Sequence, residues 1–207
     1  MNGRRCETGA NIIADDYVGA MVTQIAPDYP TLTAAEFLEF DFGDLKAELD
    51  NGIIRVMAGG SARHAEVAGN IQALLRTALR GSGCKPYMSD MATRTHDLSV
   101  RYPDVSVFCG KNDPLHDAAK SFDDPRVLFE VLSATTARTD LRTKLEEYKA
   151  LDSVDTIVFV DIASERLRVI QRTGPHGWSD VAHDEPFDVP LPALSLTLPH
   201  DEMFARD

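Results

Sequence analysis

The stretch RVLFEVLS, Arg126 to Ser133, places one carboxylate, Glu130, inside an otherwise apolar, β-prone run. Flanked by Val127, Leu128, Phe129, Val131 and Leu132, it reads as a strand covered on both faces. A carboxylate leaving water for such a place takes up a proton, finds a cation or lines a cleft. The partner of Glu130 therefore decides what the strand is for. Twenty-six residues upstream, RYPDVSVF sets Asp104 directly after Pro103, where a strand can begin. That interval suffices for strand, loop and return. The two strands can lie side by side with both carboxylates at one edge.

A carboxylate pair of this kind suits a hard divalent cation. Mg²⁺ takes oxygen ligands and keeps several waters, so one or two carboxylates and a substrate phosphate complete its shell. The ion polarises a phosphoryl oxygen and acidifies a bound water, which leads to phosphodiester hydrolysis. On the helical pattern after Glu130, the residues Asp140, Lys144 and Tyr148 share a face at i, i+4 and i+8. Lys144 can reach back toward the acids, or form a surface pair with Asp140 worth about a few tenths of a kcal/mol. Tyr148 reads equally as core packing with a polar tip. Asp104 has a rival role as a turn residue bonding its own backbone. Ser133 reads as a cap rather than a nucleophile, since no base-bearing triad is visible.

Outward from these strands the chain alternates patterns. TAAEFLEF carries Thr33 three residues before Glu36, a capping box that opens a short helix. AELDNGIIRVM holds two short runs around Asn51-Gly52, the strongest short hairpin signal, with Glu48 on the first run. From Ser61 to about Leu79 apolar residues recur at helical spacing until Gly81 and Gly83 end the run. Short strands are expected near 85–88 and 91–94, and a clearer one in RYPDVSVFCG after Pro103, with Val105, Val107 and Phe108. A second amphipathic helix is expected over 138–151, followed by the strand DTIVFVD paired with SERLRVIQR. The tail reads as loops and edge strands. The order predicts an α/β (α+β mixed) architecture, a mixed β-sheet flanked by helices, in one domain over 31–207. Residues 1–30 lack periodicity and read as a loosely packed extension.

At 207 residues the chain can bury a substantial core, and no apolar run approaches the roughly 18 residues of a membrane span. Without an apolar segment before Asp15 and Asp16 there is no secretion signal, so a cytoplasmic protein is expected. Cys6, Cys84 and Cys109 are odd in number and widely spaced, which predicts reduced thiols. The net charge of −12 argues against nonspecific coating of nucleic acid. Yet Arg55 to Arg101 holds seven basic residues against three acids. Arg55, Arg63, Arg94 and Arg101 are candidates to line a basic cleft, or are simply scattered solvated charges.

The segments RYPDVSVF, VLFEVLSATTARTDLRTKLEEY and VFVD, with ELDNGIIRVM and GGSARHAEVAGNIQALL before them, closely resemble the Uma-two family of restriction-endonuclease-like proteins within the PD-(D/E)xK nuclease superfamily. The likeness runs from about Thr31 to the C-terminus. It implies a restriction-endonuclease-like fold, Asp104 as the acid of the PD half-motif and Glu130 as the acid of the second half-motif. Leu132 stands where the superfamily has its lysine, and Lys144 matches the place on the following helix to which the family's lysine has moved. The resemblance further implies Glu48 as an additional acid and His64 as a residue near the cleft. Glu48 otherwise reads as a solvated strand residue opposite Arg55, and His64 as a helix cap or an exposed helix residue.

The implied protein is an Mg²⁺- or Mn²⁺-dependent endonuclease acting on DNA, with Asp104, Glu130 and Glu48 at the metal and Lys144 positioning water and stabilising phosphate charge. A homodimer is expected, because a duplex has two bonds to cut. Two other readings remain: a catalytically inactive nuclease-fold binding module in which Lys144 merely pairs Glu130, and an RNA-directed or toxin-like nuclease.

Overall fold

The structure is a computed structural model that describes residues 31–57, 59–110, 118–132 and 138–206. Helix α1 (Ala34–Glu39) opens on the expected capping box, with Thr33 Oγ1 accepting from the Glu36 amide and the Glu36 carboxylate accepting from Thr33 N. Strands β1 (Ala47–Asp50) and β2 (Ile53–Val56) form the expected hairpin, with φ of 48° at Asn51 and 82° at Gly52. Both central residues need positive φ in such a turn. At Gly52 space matters too, since a Cβ would come within 2.5 Å of Thr31 Cβ.

Helix α2 (Ala62–Ala78) starts at Ser61, whose side chain accepts from the His64 amide. Then come β3 (Cys84–Met88), β4 (Ala92–His96), β5 (Ser99–Arg101), β6 (Val105–Cys109), the short β7 (Ser121–Phe122) and β8 (Pro125–Leu132). Helix α3 (Arg138–Ala150) links β8 to β9 (Thr156–Asp161), which turns back as β10 (Arg166–Arg172) and β11 (Trp178–His183). The hairpin β12 (Val189–Leu191) and β13 (Leu196–Leu198) and the helix α4 (His200–Met203) close the chain.

Two main sheets form where one was expected. The larger runs β11-β10-β9-β8-β6-β3 and is antiparallel except for β8 and β9, which lie parallel across the α3 crossover. The smaller runs β2-β1-β5-β4-β7. The chain passes between them over 102–104, and Pro103 is the sequence's one mark of the change. Alternation along β8 divides its side chains: Val127, Phe129 and Val131 pack toward α2, and Leu128 packs with Leu145 and Tyr148 of α3. The tail is more than loops and edge strands. Val189, Leu191, Leu198, Met203 and Phe204 complete the buried cluster on the α2 side.

The cysteine expectation is corrected. Cys84 and Cys109 face one another in the β3–β6 register and form a disulfide. Their separation of 25 residues gave no sign of it, because partnership here comes from strand register. Cys6 lies outside the described residues, as does the whole of 1–30.

Candidate functional site

Strand register brings the two sequence-predicted acids together. Val105 pairs with Phe129 in the antiparallel β6–β8 ladder, so Asp104, one residue earlier, lies opposite Glu130, one residue later. Asp104 is no simple turn residue. Its Oδ2 accepts from the Val131 amide at 2.7 Å, and its Oδ1 is 2.8 Å from His64 Nε2. Glu130, buried at 7% exposure, accepts from the Tyr148 hydroxyl at 2.6 Å. Lys144 Nζ lies 3.6 Å from the same Glu130 oxygen and donates to Glu48 Oε1 at 3.0 Å. Lys144 thus reaches back from α3 to the strand, the alternative that the Leu132 replacement made necessary. The side chain of Asp140 lies outside the described residues.

Glu48 is not a solvated strand residue, although Arg55 is its cross-strand neighbour. It is buried, and its two oxygens are committed: Oε1 to Lys144 and to the Tyr102 amide at 3.1 Å, Oε2 to Arg101 at 3.4 Å. His64 neither caps its helix nor points into solvent. A Cβ at Gly60 would sit 2.8 Å from His64 Nδ1, so the glycine leaves room for the ring that reaches Asp104. Burial lowers the His64 pKa against an opposing pull from Glu130, which keeps the ring neutral near pH 7. With Nε2 donating to the carboxylate, Nδ1 bears the lone pair.

The basic-cleft expectation for four arginines is corrected. Arg55 pairs with Asp50, Arg94 with Asp123, and Arg63 with Glu66 and Glu165 while also holding the carbonyls of Phe204 and Ala205. Arg101 is wholly buried. Its Nε and Nη2 grip Glu147 at 2.7 and 2.6 Å, and Nη2 also reaches Asp50 at 2.9 Å. Burial works against the guanidinium's charge, but the bonds and charges of Glu147, Glu48 and Asp50 prevail and raise its pKa. Thr95 adds a 2.9 Å bond to Glu147. Sequence reasoning missed Glu147 and the burial of Arg101. The available signal was the arginine's place inside the short apolar run LSVRYPDV.

These contacts leave an imbalance. Among the described residues Glu48, Asp50, Asp104, Glu130 and Glu147 face Arg55, Arg101 and Lys144, with Lys46 acting on Asp104 from farther off, so the acids outnumber the cations. The acids respond by holding protons. Burial, reinforced by Glu48, pushes Asp104 up to about 6, against the Val131 amide and Lys144. Burial, reinforced by Asp104 and Glu48, pushes Glu130 up to about 7, against Lys144 and the Tyr148 hydroxyl. Among the described residues no group of three His, Cys, Asp or Glu side chains is gathered as a metal-binding cluster. The pair Asp104 and Glu130, all oxygen and short of positive charge, fits Mg²⁺ or Mn²⁺ with water completing the shell.

The Tyr148 bond gives a direct test. Tyr148→Phe removes a donor that favours ionised Glu130, so the Glu130 pKa should rise further and half-maximal metal uptake should move to higher pH. Calorimetric titrations across pH check this. An unchanged profile would show that the hydroxyl does not act on the carboxylate.

Residues 34–199 match the Uma2 family, described as "Putative restriction endonuclease". The uncharacterized protein sll1609 of Synechocystis sp. is 28% identical over 149 residues, 71% of this chain and 84% of that protein. The uncharacterized protein slr1290 of the same organism is 23% identical over 178 residues, 85% of this chain and 93% of that protein. The crystal structure of a protein from Anabaena variabilis, described as a "putative nuclease belonging to DUF820", matches with a TM-score of 0.68 at 18% identity. It covers 84% of this chain and 97% of its own. That likeness shows the fold.

Proposed function

The chain belongs to the Uma2 family of the restriction-endonuclease-like description, and from that premise we propose that it is a divalent-metal-dependent endonuclease that hydrolyses phosphodiester bonds of DNA. The observation that carries this reading is the half-buried Asp104 held opposite the buried Glu130, both with raised pKa, with the Lys144 ammonium beside Glu130. Asp104 and Glu130 would hold Mg²⁺ or Mn²⁺. When bound, the ion would polarise a phosphoryl oxygen and lower the pKa of a water. Lys144, held by Glu48, would stabilise charge on the phosphate and orient the attacking water. Glu48, whose Oε1 accepts from Lys144, would position that ammonium beside the pair. His64, bonded to Asp104, would fix that carboxylate's orientation.

Incubation of the protein with supercoiled plasmid and Mg²⁺ or Mn²⁺ tests the reading, alongside calorimetry with each metal. Nicking with metal uptake is expected; absence of both sinks it. Single-stranded DNA and RNA substrates distinguish the RNA-directed alternative. A homodimer, suited to cutting two strands, is tested by light scattering with and without duplex.

Metal uptake should strengthen with pH. Protons held by Asp104 up to about 6 and by Glu130 up to about 7 compete with the ion. Affinity should climb by up to about a hundredfold per pH unit below both values, where two protons leave, and level off above about pH 8. A flat titration series from acid to alkaline pH would contradict this assignment of ligands.

One observation favours a second reading, a nuclease fold kept for binding alone. Lys144 already pairs Glu48 and lies near Glu130, which is how a purely structural acid would be compensated. Such a protein would bind nucleic acid without taking up metal.

A further inference from the structure

A cleft of about 840 Å³ lies between the second half of α2 and edge strand β3. Gln72 and Arg76 lie one turn apart on α2, Arg80 follows in the turn just beyond its end, and Lys85 projects from β3 opposite. Surface cations such as Lys46, Arg166 and Arg168 are neutralised by Asp90, Asp184 and Asp180. Arg76, Arg80 and Lys85 are exposed and, among the described residues, form no ion pair. In a chain of net charge −12, three cations that have no ion pair among the described residues therefore line one groove. Such a groove attracts a polyanion.

The groove also leads to the candidate site. At its far end it is lined by Met88 and Asp90, and Met88 pairs with Val105, the residue after Asp104. Lys46, paired with Asp90, is close enough for its charge to lower the Asp104 pKa.

We propose that the α2–β3 cleft is a phosphate track that holds the sugar-phosphate backbone flanking the bond presented to Asp104 and Glu130. The proposal rests on the nuclease reading of that site. Its residues stand away from the reacting atoms, so it governs binding and register rather than chemistry.

The test is fluorescence anisotropy with a labelled duplex of about 30 bp in EDTA, over about 50 to 300 mM NaCl. It compares the full-length protein, the triple variant Arg76→Gln/Arg80→Gln/Lys85→Gln and the control Arg168→Gln. The triple variant should weaken binding by more than about tenfold and reduce the salt slope by about 2 to 3, whereas the control should match the wild type. Under plasmid cleavage it should raise KM and leave kcat unchanged. Circular dichroism and thermal melting confirm that these exposed substitutions preserve the fold. Wild-type affinity and slope in the triple variant overturn the track, even if cleavage stands. Loss of binding in the triple variant, with no cleavage by the wild type, supports the track and sinks the nuclease reading instead.

Discussion

Glu130→Gln should lower plasmid nicking by at least about a hundredfold and abolish calorimetric metal uptake, while making the metal-free protein more stable at pH 8. Loss of partners around a metal's ligands already costs roughly 10 to 100-fold. Removing one of two carboxylate ligands belongs at or beyond that limit. The stability gain follows from the carboxylate's burial. In the folded chain Glu130 holds its proton to about 7, against an ordinary value of 4.5. Between those values the folded state binds more protons than the unfolded one, so stability falls as pH rises through roughly 4.5 to 7. Above that window the ionised carboxylate costs on the order of 3 kcal/mol. Glutamine keeps the shape without the charge, so the variant's advantage should be full at pH 8 and vanish near pH 4. Mg²⁺ should raise the melting temperature of the wild type at pH 8 and leave the variant unmoved. Retained metal uptake in the variant would remove Glu130 from the ligand set. A variant less stable than wild type at pH 8 would make Glu130 a structural acid.

Arg101→Met should be the most damaging single change to the fold. It would leave Glu147 and Glu48 without their guanidinium and Asp50 with Arg55 alone. Removal of one partner from a buried charge network costs about 3–5 kcal/mol, far more than an exposed pair is worth. For a chain of this length that corresponds to a melting temperature lower by on the order of 10 °C. Arg101→Lys keeps the charge but cannot grip Glu147 with two nitrogens, so it should fall between wild type and Met. The double variant Arg101→Met/Glu147→Gln should recover part of the loss, as expected of residues in one network. Thermal denaturation of all four proteins measures this. A shift of only a degree or two in Arg101→Met would show the network to be dispensable.

The parts of this site that were legible in the sequence are the local ones. Glu130 inside an apolar strand, Asp104 behind Pro103, the Asn51-Gly52 turn and the α3 stripe all follow from short-range periodicity. Lys144 was visible as a candidate, but its reach to Glu48 and Glu130 was set by how α3 lies on the sheet. The Arg101 grip was hidden because its partners lie 46 and 51 residues away, on α3 and β1. Cys84 and Cys109 were hidden for the same reason. An arginine whose charge looks exposed in a linear count can be the best-compensated cation once two sheets meet, and the reverse holds for Arg76, Arg80 and Lys85.

The crossing at 102–104 also bears on the order in which the molecule is assembled. β8, α3 and β9 form a contiguous unit, and Asp104 joins it through β6. Glu48 and Arg101, which fix Lys144 and Glu147 on α3, arrive from the other sheet. Contacts so distant along the chain close late in folding, after the local units have formed. A chain caught before the sheets dock would carry both acids and yet lack an anchored ammonium. On the proposed reading, competence to cut would come only with that final docking step.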